Sequence, residues 1–225
     1  MMMKRINKPK HLKTFKPLKT DNMTVFICPA ATKLPLYSVF VRLAVNFGLQ
    51  GIEEESTIPD TPALICIDEF PVFHRLQSIE VFSGYIRSFH AKFLLIAQNL
   101  KQIQSTYPQA WENFLGNLTV HGYGNSELTT LRYFEERLGK TAIETTSTNI
   151  STQAAIGNQT RSYQLFSLMT GPEMSRIFGA KDHLKRQLYL EPSREPIILQ
   201  RVEYWNRNTA YFEQYFRAYW EFMGG

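Results

Sequence analysis

Cysteine is nearly absent from this sequence of 225 residues. Only Cys28 and Cys66 occur, with no Cys-x-x-Cys pair and no dense His/Cys cluster, so a disulfide framework and a structural zinc site are both excluded. Each thiol lies in an apolar run and reads as a small buried hydrophobe. Long apolar runs are missing too: nothing approaches the ~18 residues of a membrane span. No signal-like apolar core follows the basic start, which places the chain in the cytosol or peripherally on a larger assembly. Acidic residues are absent from the first 20 positions, where Lys4, Arg5, Lys8, Lys10, Lys13, Lys16 and Lys19 stand. After Thr20, 18 basic residues face 20 acidic ones, a net charge of −2. The pI near 9.1 therefore belongs to the arm, and a basic nucleic-acid-binding body is excluded by composition.

What remains is the composition of a soluble globular chain, 44% hydrophobic and 20% charged, long enough for a substantial core. Residues 1–22 read as a disordered or loosely docked basic arm. A solubilising tail and a phosphate-binding arm both fit it, and a direct DNA contact there would be lost at moderate salt.

The informative stretch runs from Pro62 to Leu100. Ala63-Leu-Ile-Cys-Ile is a short apolar run behind a Pro and reads as a buried strand, with Asp68 and Glu69 at its carboxyl end. That edge of an open α/β sheet is where ligands bind. The pattern is that of a Walker B strand, in which one carboxylate holds the Mg²⁺ shell and the next orients attacking water. A buried strand followed by a helix-capping Asp has the same appearance. A second apolar run, Phe93 to Ala97, ends in Gln98 and predicts a polar rim of Asp68, Glu69 and Gln98 along one edge.

Around this pair the chain alternates. A strand is expected at 24–29, a helix over 36–47 capped by Gly48, an exposed loop at 49–61, and a helix from about Leu76 to His90. Arg87 lies on that last helix, where a surface ion pair is the plain explanation. An amphipathic segment at 100–115 breaks at Pro108, and a strand at 118–122 follows Gly116-Asn117. A helix at 127–138 stops at Gly139, and 140–163 is a polar loop or hairpin. Thr170-Gly-Pro-Glu starts another helix. Strands fit Arg186–Leu190 and Ile197–Val202, and an aromatic helix closes the chain over about 206–225. The rhythm predicts an α/β fold, a mostly parallel sheet with helices on both faces, over 23–205.

Asp68-Glu69-Phe70, Arg87, Leu94-Leu-Ile-Ala-Gln98, Leu115-Gly-Asn117, Tyr133 with Glu136-Arg-Leu-Gly-Lys140, and Thr170-Gly-Pro-Glu-Met174 fall in the order and spacing of one family. The chain resembles the type IV secretion coupling proteins, TraG/TraD-like conjugative DNA-transfer ATPases related to the FtsK and HerA motors. The resemblance covers roughly residues 22–205. It implies the carboxyl-terminal half of a RecA-like P-loop NTPase core and an activity that drives DNA transfer by ATP hydrolysis. ATP and Mg²⁺ are the implied cofactors. By position, Asp68 is implied as the Mg²⁺ ligand, Glu69 as the catalytic carboxylate, Gln98 as the γ-phosphate sensor and Arg87 as an arginine reaching a neighbouring subunit's nucleotide. The implied partners are further subunits of a hexamer-type ring, the secretion channel, a relaxase–DNA complex and DNA, at the cytoplasmic face of the inner membrane.

One departure stands out. No Gly-x-x-x-x-Gly-Lys-[Ser/Thr] occurs in the 225 residues, and where Gly139-Lys140-Thr141 imitates its end, Phe134 occupies the first Gly position. A chain with the acidic edge but no phosphate cradle is expected to be inactive alone. The alternative is a non-catalytic module that docks on a P-loop-bearing coupling protein or relaxase complex.

Overall fold

A computed structural model describes residues 2–6, 15–21, 23–149 and 158–202. The expected aromatic helix at 206–225 lies outside the described residues. The chain divides into two compact units, Met1–Thr119 and Val120–Gly225.

In the first unit, β1 (Met2–Ile6) pairs antiparallel with β2 (Thr24–Cys28). Part of the basic arm is thus a strand. A short helix, α1 (Pro17–Thr20), follows within the arm. Its Lys19 is buried at 6% exposure and donates from Nζ to the carbonyl oxygens of Ile52 (3.3 Å) and Glu55. These are orphan carbonyls at the end of α2 (Leu34–Glu54), where a cation is favoured by both hydrogen bonding and the helix dipole. Lys16 pairs with Glu54 at 3.5 Å. Two of the arm's cations therefore serve the fold.

The helix expected to stop at Gly48 instead runs on to Glu54. Leu49 and Ile52 are fully buried, so continuing the helix gains core contacts that a cap at Gly48 would forfeit. Gly51 permits close packing: a Cβ there would sit 2.7 Å from the Phe15 backbone carbon. The other side of α2 is apolar as well. Leu36, Val39, Phe40, Leu43 and Phe47 are 40–73% exposed, and they lie opposite the buried Val41, Ala44 and Ile52.

β3 (Ala63–Ile67) and β4 (Ala91–Leu95) form a parallel pair in register Ala63 with Ala91 through Ile67 with Leu95. Between them come a 3-10 turn over Phe70–Phe73, α3 (Gln77–Tyr85), and a second 3-10 turn over Ile86–Phe89. After β4 come α4 (Leu100–Thr106) and α5 (Trp111–Asn117). Gly116-Asn117, read as a strand's introduction, closes α5 instead.

The strands are not buried on both sides. Ala63, Ile65 and Ile67 pack with Ala91, Phe93 and Leu95 into cores shared with α2, α3 and α5. Leu64 (62% exposed), Cys66, Leu94 (47%) and Ile96 (40%) face outward. Cys66 and Cys28 are both exposed, which corrects their reading as buried hydrophobes. At the centre of the core, Tyr107 is fully buried. Its hydroxyl accepts from the Leu76 amide at 3.0 Å, and its ring meets Phe70 at 5.8 Å and Phe114 edge-on at 5.0 Å.

The second unit carries an antiparallel sheet in the order β5 (Val120–Gly122), β8 (Arg186–Leu190), β9 (Ile197–Gln200). Packed with it are α6 (Leu128–Leu138) and α7 (Gly171–Ile177), around Leu131, Phe134, Met174, Phe178, Leu188 and Leu190. Gly122 admits no side chain, since a Cβ would fall 2.3 Å from the Phe134 ring. The polar stretch after α6 is a hairpin of β6 (Lys140–Asn149) and β7 (Asn158–Ser167), paired from Lys140 with Ser167 to Asn149 with Asn158. Buried Asp182 takes the Arg186 guanidinium at 2.9 and 3.1 Å, which holds its carboxyl well below the usual range.

Two caps set the helix starts. Thr170 and Glu173 form a reciprocal capping box on α7. On α6, Glu127 accepts from the Thr129 and Thr130 amides at 2.8 and 2.9 Å and from the Thr130 hydroxyl at 2.9 Å. Partial burial raises the Glu127 carboxyl, but these donors outweigh it and hold the group down to about 2. A depressed folded-state value contributes stability above the ordinary carboxylate pKa, lost as pH falls toward the folded one. Thermal melts of the wild type should therefore show a larger acid-induced loss between about pH 4.5 and 2 than those of Glu127→Gln, with the variant less stable at neutral pH.

Candidate functional site

The carboxyl ends of β3 and β4 carry the polar residues that the sequence singles out. The chain turns sharply at Glu69, whose φ of 51° and ψ of 39° are left-handed. For a residue with a Cβ this costs on the order of 1–2 kcal/mol, and such strain collects at functional positions. The Glu69 side chain leaves the backbone at this turn. There the Gln98 amide nitrogen donates to both carboxylate oxygens, at 3.1 and 3.2 Å.

The spacing between the two is fixed by main chain. Beyond the regular ladder, Ile96 donates its N–H to the Ile67 carbonyl at 3.0 Å, and its own carbonyl accepts the Phe70 N–H at 3.0 Å. Ile96 is thus bonded to the residues on either side of Asp68 and Glu69. Asp68 is exposed at the same strand end. Partial desolvation pushes the nearby Cys66 thiol up although the residue is exposed, and the Asp68 charge adds to the effect.

Gln98 is steadied in turn by α4. Asn99 is the N-cap, its side-chain oxygen accepting the Gln102 N–H at 3.0 Å. The Gln102 side chain reaches back, accepting from the Gln98 backbone N–H and donating to the Gln98 side-chain oxygen, each at 3.4 Å. The sequence reading did not single out Gln102. Its signal is the capping pattern Asn99-x-x-Gln102 immediately after a strand that ends in a polar residue.

Arg87 is not brought to this pair. It is exposed in the 3-10 turn that leads into the amino end of β4. Five residues of strand separate it from the rim, which is roughly 16 Å at the usual rise. Gly139-Lys140-Thr141 runs from the end of α6 into β6. A phosphate cradle needs the reverse order, strand to helix.

The rim suits a hard cation that it shares with a ligand. Among the described residues no group of three or more His, Cys, Asp or Glu side chains encloses a metal. Mg²⁺, however, is commonly held by one or two carboxylates with water and phosphate oxygens completing its octahedron, and Asp68 fits that part. Glu69 is held beside an amide donor, its carboxylate accepting from Gln98. No helix among the described residues is long and apolar enough to cross a membrane.

Residues 14–220 match the family described as Type IV secretory system Conjugative DNA transfer. Protein VirD4 of Rhizobium radiobacter is 21% identical over 196 residues, covering 85% of this chain and 28% of that protein. Protein VirD4 of Rhizobium rhizogenes is 22% identical over 198 residues, with 84% and 28% covered. The chain thus spans under a third of the length of these relatives. Among solved structures, the conjugative coupling protein TrwBdeltaN70 in its trigonal form with sulphate superposes with a TM-score of 0.62 at 14% identity, over 83% of this chain and 42% of that one. TrwB in complex with ADP and Mg²⁺ gives 0.54 at 13% identity, over 75% and 37%. The α/β fold is that of these solved structures.

Proposed function

The chain belongs to the type IV secretory system conjugative DNA-transfer family, and from that premise we propose that it supplies the acidic half of a coupling ATPase's nucleotide site. The reading rests on one observation, the Glu69–Gln98 contact across the ends of a parallel strand pair. Asp68 is the Mg²⁺ ligand, Glu69 orients and activates water, and Gln98 senses the γ-phosphate or its water. Arg87, a strand's length from the rim, serves a neighbouring subunit's nucleotide. There its guanidinium stabilises charge on the transferring phosphoryl oxygens. ATP with Mg²⁺ is the cofactor, as the complex of the structural relative with ADP and Mg²⁺ supports. The work is transfer of DNA or a protein–DNA substrate through a type IV secretion channel, in a ring of subunits at the inner membrane's cytoplasmic face.

The 225 residues supply no Gly-x-x-x-x-Gly-Lys cradle for the β- and γ-phosphates. Purified alone, the chain should bind Mg·ATP weakly and hydrolyse it at background. Steady-state hydrolysis by the chain alone at a motor's ordinary rate, about 1–10³ per second, and abolished by Glu69→Gln, would overturn the view that half a site is present.

A second reading is favoured by the outward apolar residues Leu64 of β3, Leu94 of β4 and Ile96 just after it, and by the outer stripe of α2. Parallel strands are ordinarily covered on both faces. The chain would then act as a non-catalytic module seated on a P-loop-bearing coupling protein or relaxase complex. Coprecipitation with such a protein supports this reading, and a strictly monomeric chain that binds none counts against it.

A further inference from the structure

We propose that Gln102 is a positioning residue that fixes the direction in which the Gln98 carboxamide points its hydrogens. The catalytic meaning rests on the reading of Glu69 above, but the positioning does not. A side-chain amide has a donor end and an acceptor end, and nothing in its shape distinguishes them. Here two groups are unambiguous, the Glu69 carboxylate at one end, which accepts, and a backbone N–H at the other. The Gln98 backbone N–H can only donate, and it meets Gln102 Oε1 at 3.4 Å. That contact assigns the oxygen of Gln102, and so turns its NH₂ toward Gln98 Oε1, also 3.4 Å away. With Oε1 engaged, the Gln98 NH₂ is left facing Glu69, to which it donates at 3.1 and 3.2 Å.

The polarity thus runs one way, from a main-chain amide through two carboxamides to a carboxylate. Its base is held independently, because the Gln102 N–H is anchored on Asn99 at 3.0 Å and Leu100 beside it is buried. The consequence is chemical. Gln98 is set to donate toward the rim, to the Glu69 carboxylate, a phosphate oxygen or the oxygen of water, and is not free to rotate and accept. Without this backing the choice of orientation would rest on Glu69 alone, and would be lost whenever that carboxylate turned away.

A cap on α4 would account for Gln102 without any relay, and one substitution separates the two roles. Glu at position 102 still accepts the Gln98 backbone N–H, one residue before the N-cap, but offers Gln98 Oε1 a second acceptor in place of a donor. In the ¹⁵N-labelled 225-residue chain, Glu69→Gln should shift the Gln98 side-chain NH₂ signals, which establishes the contact. In Gln102→Glu those signals should move from their wild-type positions, and adding Glu69→Gln should shift them by less than half as much as before. The melting temperature should stay within a few degrees. Gln102→Ala, which removes both contacts, should reproduce the loss of coupling. If Gln102→Glu leaves the Gln98 NH₂ signals and their response to Glu69→Gln unchanged, Gln102 is a cap only and the proposal is wrong. The spectra require no nucleotide, so this outcome is independent of whether Glu69 acts in hydrolysis.

Discussion

Tyr107→Ala will lower the melting temperature of the chain by roughly 10–20 °C, the largest stability effect expected of a single side chain here. Tyr107 is fully buried between Phe70 and Phe114, and its hydroxyl receives the Leu76 N–H. Truncating a buried aromatic ring costs about 3–5 kcal/mol, and the amide left without an acceptor adds about 1–3 kcal/mol. Against a total stability of about 5–15 kcal/mol, the first unit is left marginal. Tyr107→Phe keeps the ring and loses only the hydroxyl, so it should cost about 1–2 kcal/mol. Thermal and urea melts of the two variants separate the packing from the hydrogen bond. A Tyr107→Ala melt within a few degrees of wild type would mean that this core does not hold the unit together.

Glu69→Gln will lower kcat for ATP hydrolysis by about 10²–10⁴-fold in a motor whose phosphate cradle is supplied, with the affinity for Mg·ATP nearly unchanged. The carboxamide fills the same space and keeps one oxygen to accept from Gln98, but it neither takes a proton nor carries the charge that polarises water. The backbone at 69 is left-handed in either case, so the melt should shift by less than about 0.5 kcal/mol. Loss of rate with the fold and nucleotide affinity intact is what separates a catalytic carboxylate from a turn residue. An equal rise in KM at constant kcat would place Glu69 in binding alone.

The parts of this site that could be read from sequence are those whose cause is local. Two short apolar runs ending in Asp-Glu and Gln are enough to predict two strands with a shared polar end, because strand pairing and side-chain alternation act over a few residues. The caps at Thr170 and Gly139 were equally accessible. What escaped has distant causes. Gly48 resembles a helix stop, but α2 passes through it because its last carbonyls are satisfied by Lys19, more than 30 residues earlier in the chain. The run Ala63-Leu-Ile-Cys-Ile contains no polar residue to mark its outer side, so Leu64 and Cys66 could not be told from Ile65 and Ile67 until the covering helices were in place. The left-handed turn at Glu69 has no sequence signature, since glutamate is not a residue that this conformation favours.

Ile96 gives the rim a mechanical character. Its amide and carbonyl are tied to Ile67 and Phe70, so the turn holding Glu69 and the segment that leads into α4 are joined by main-chain hydrogen bonds alone, and a side-chain substitution at position 96 leaves both bonds in place.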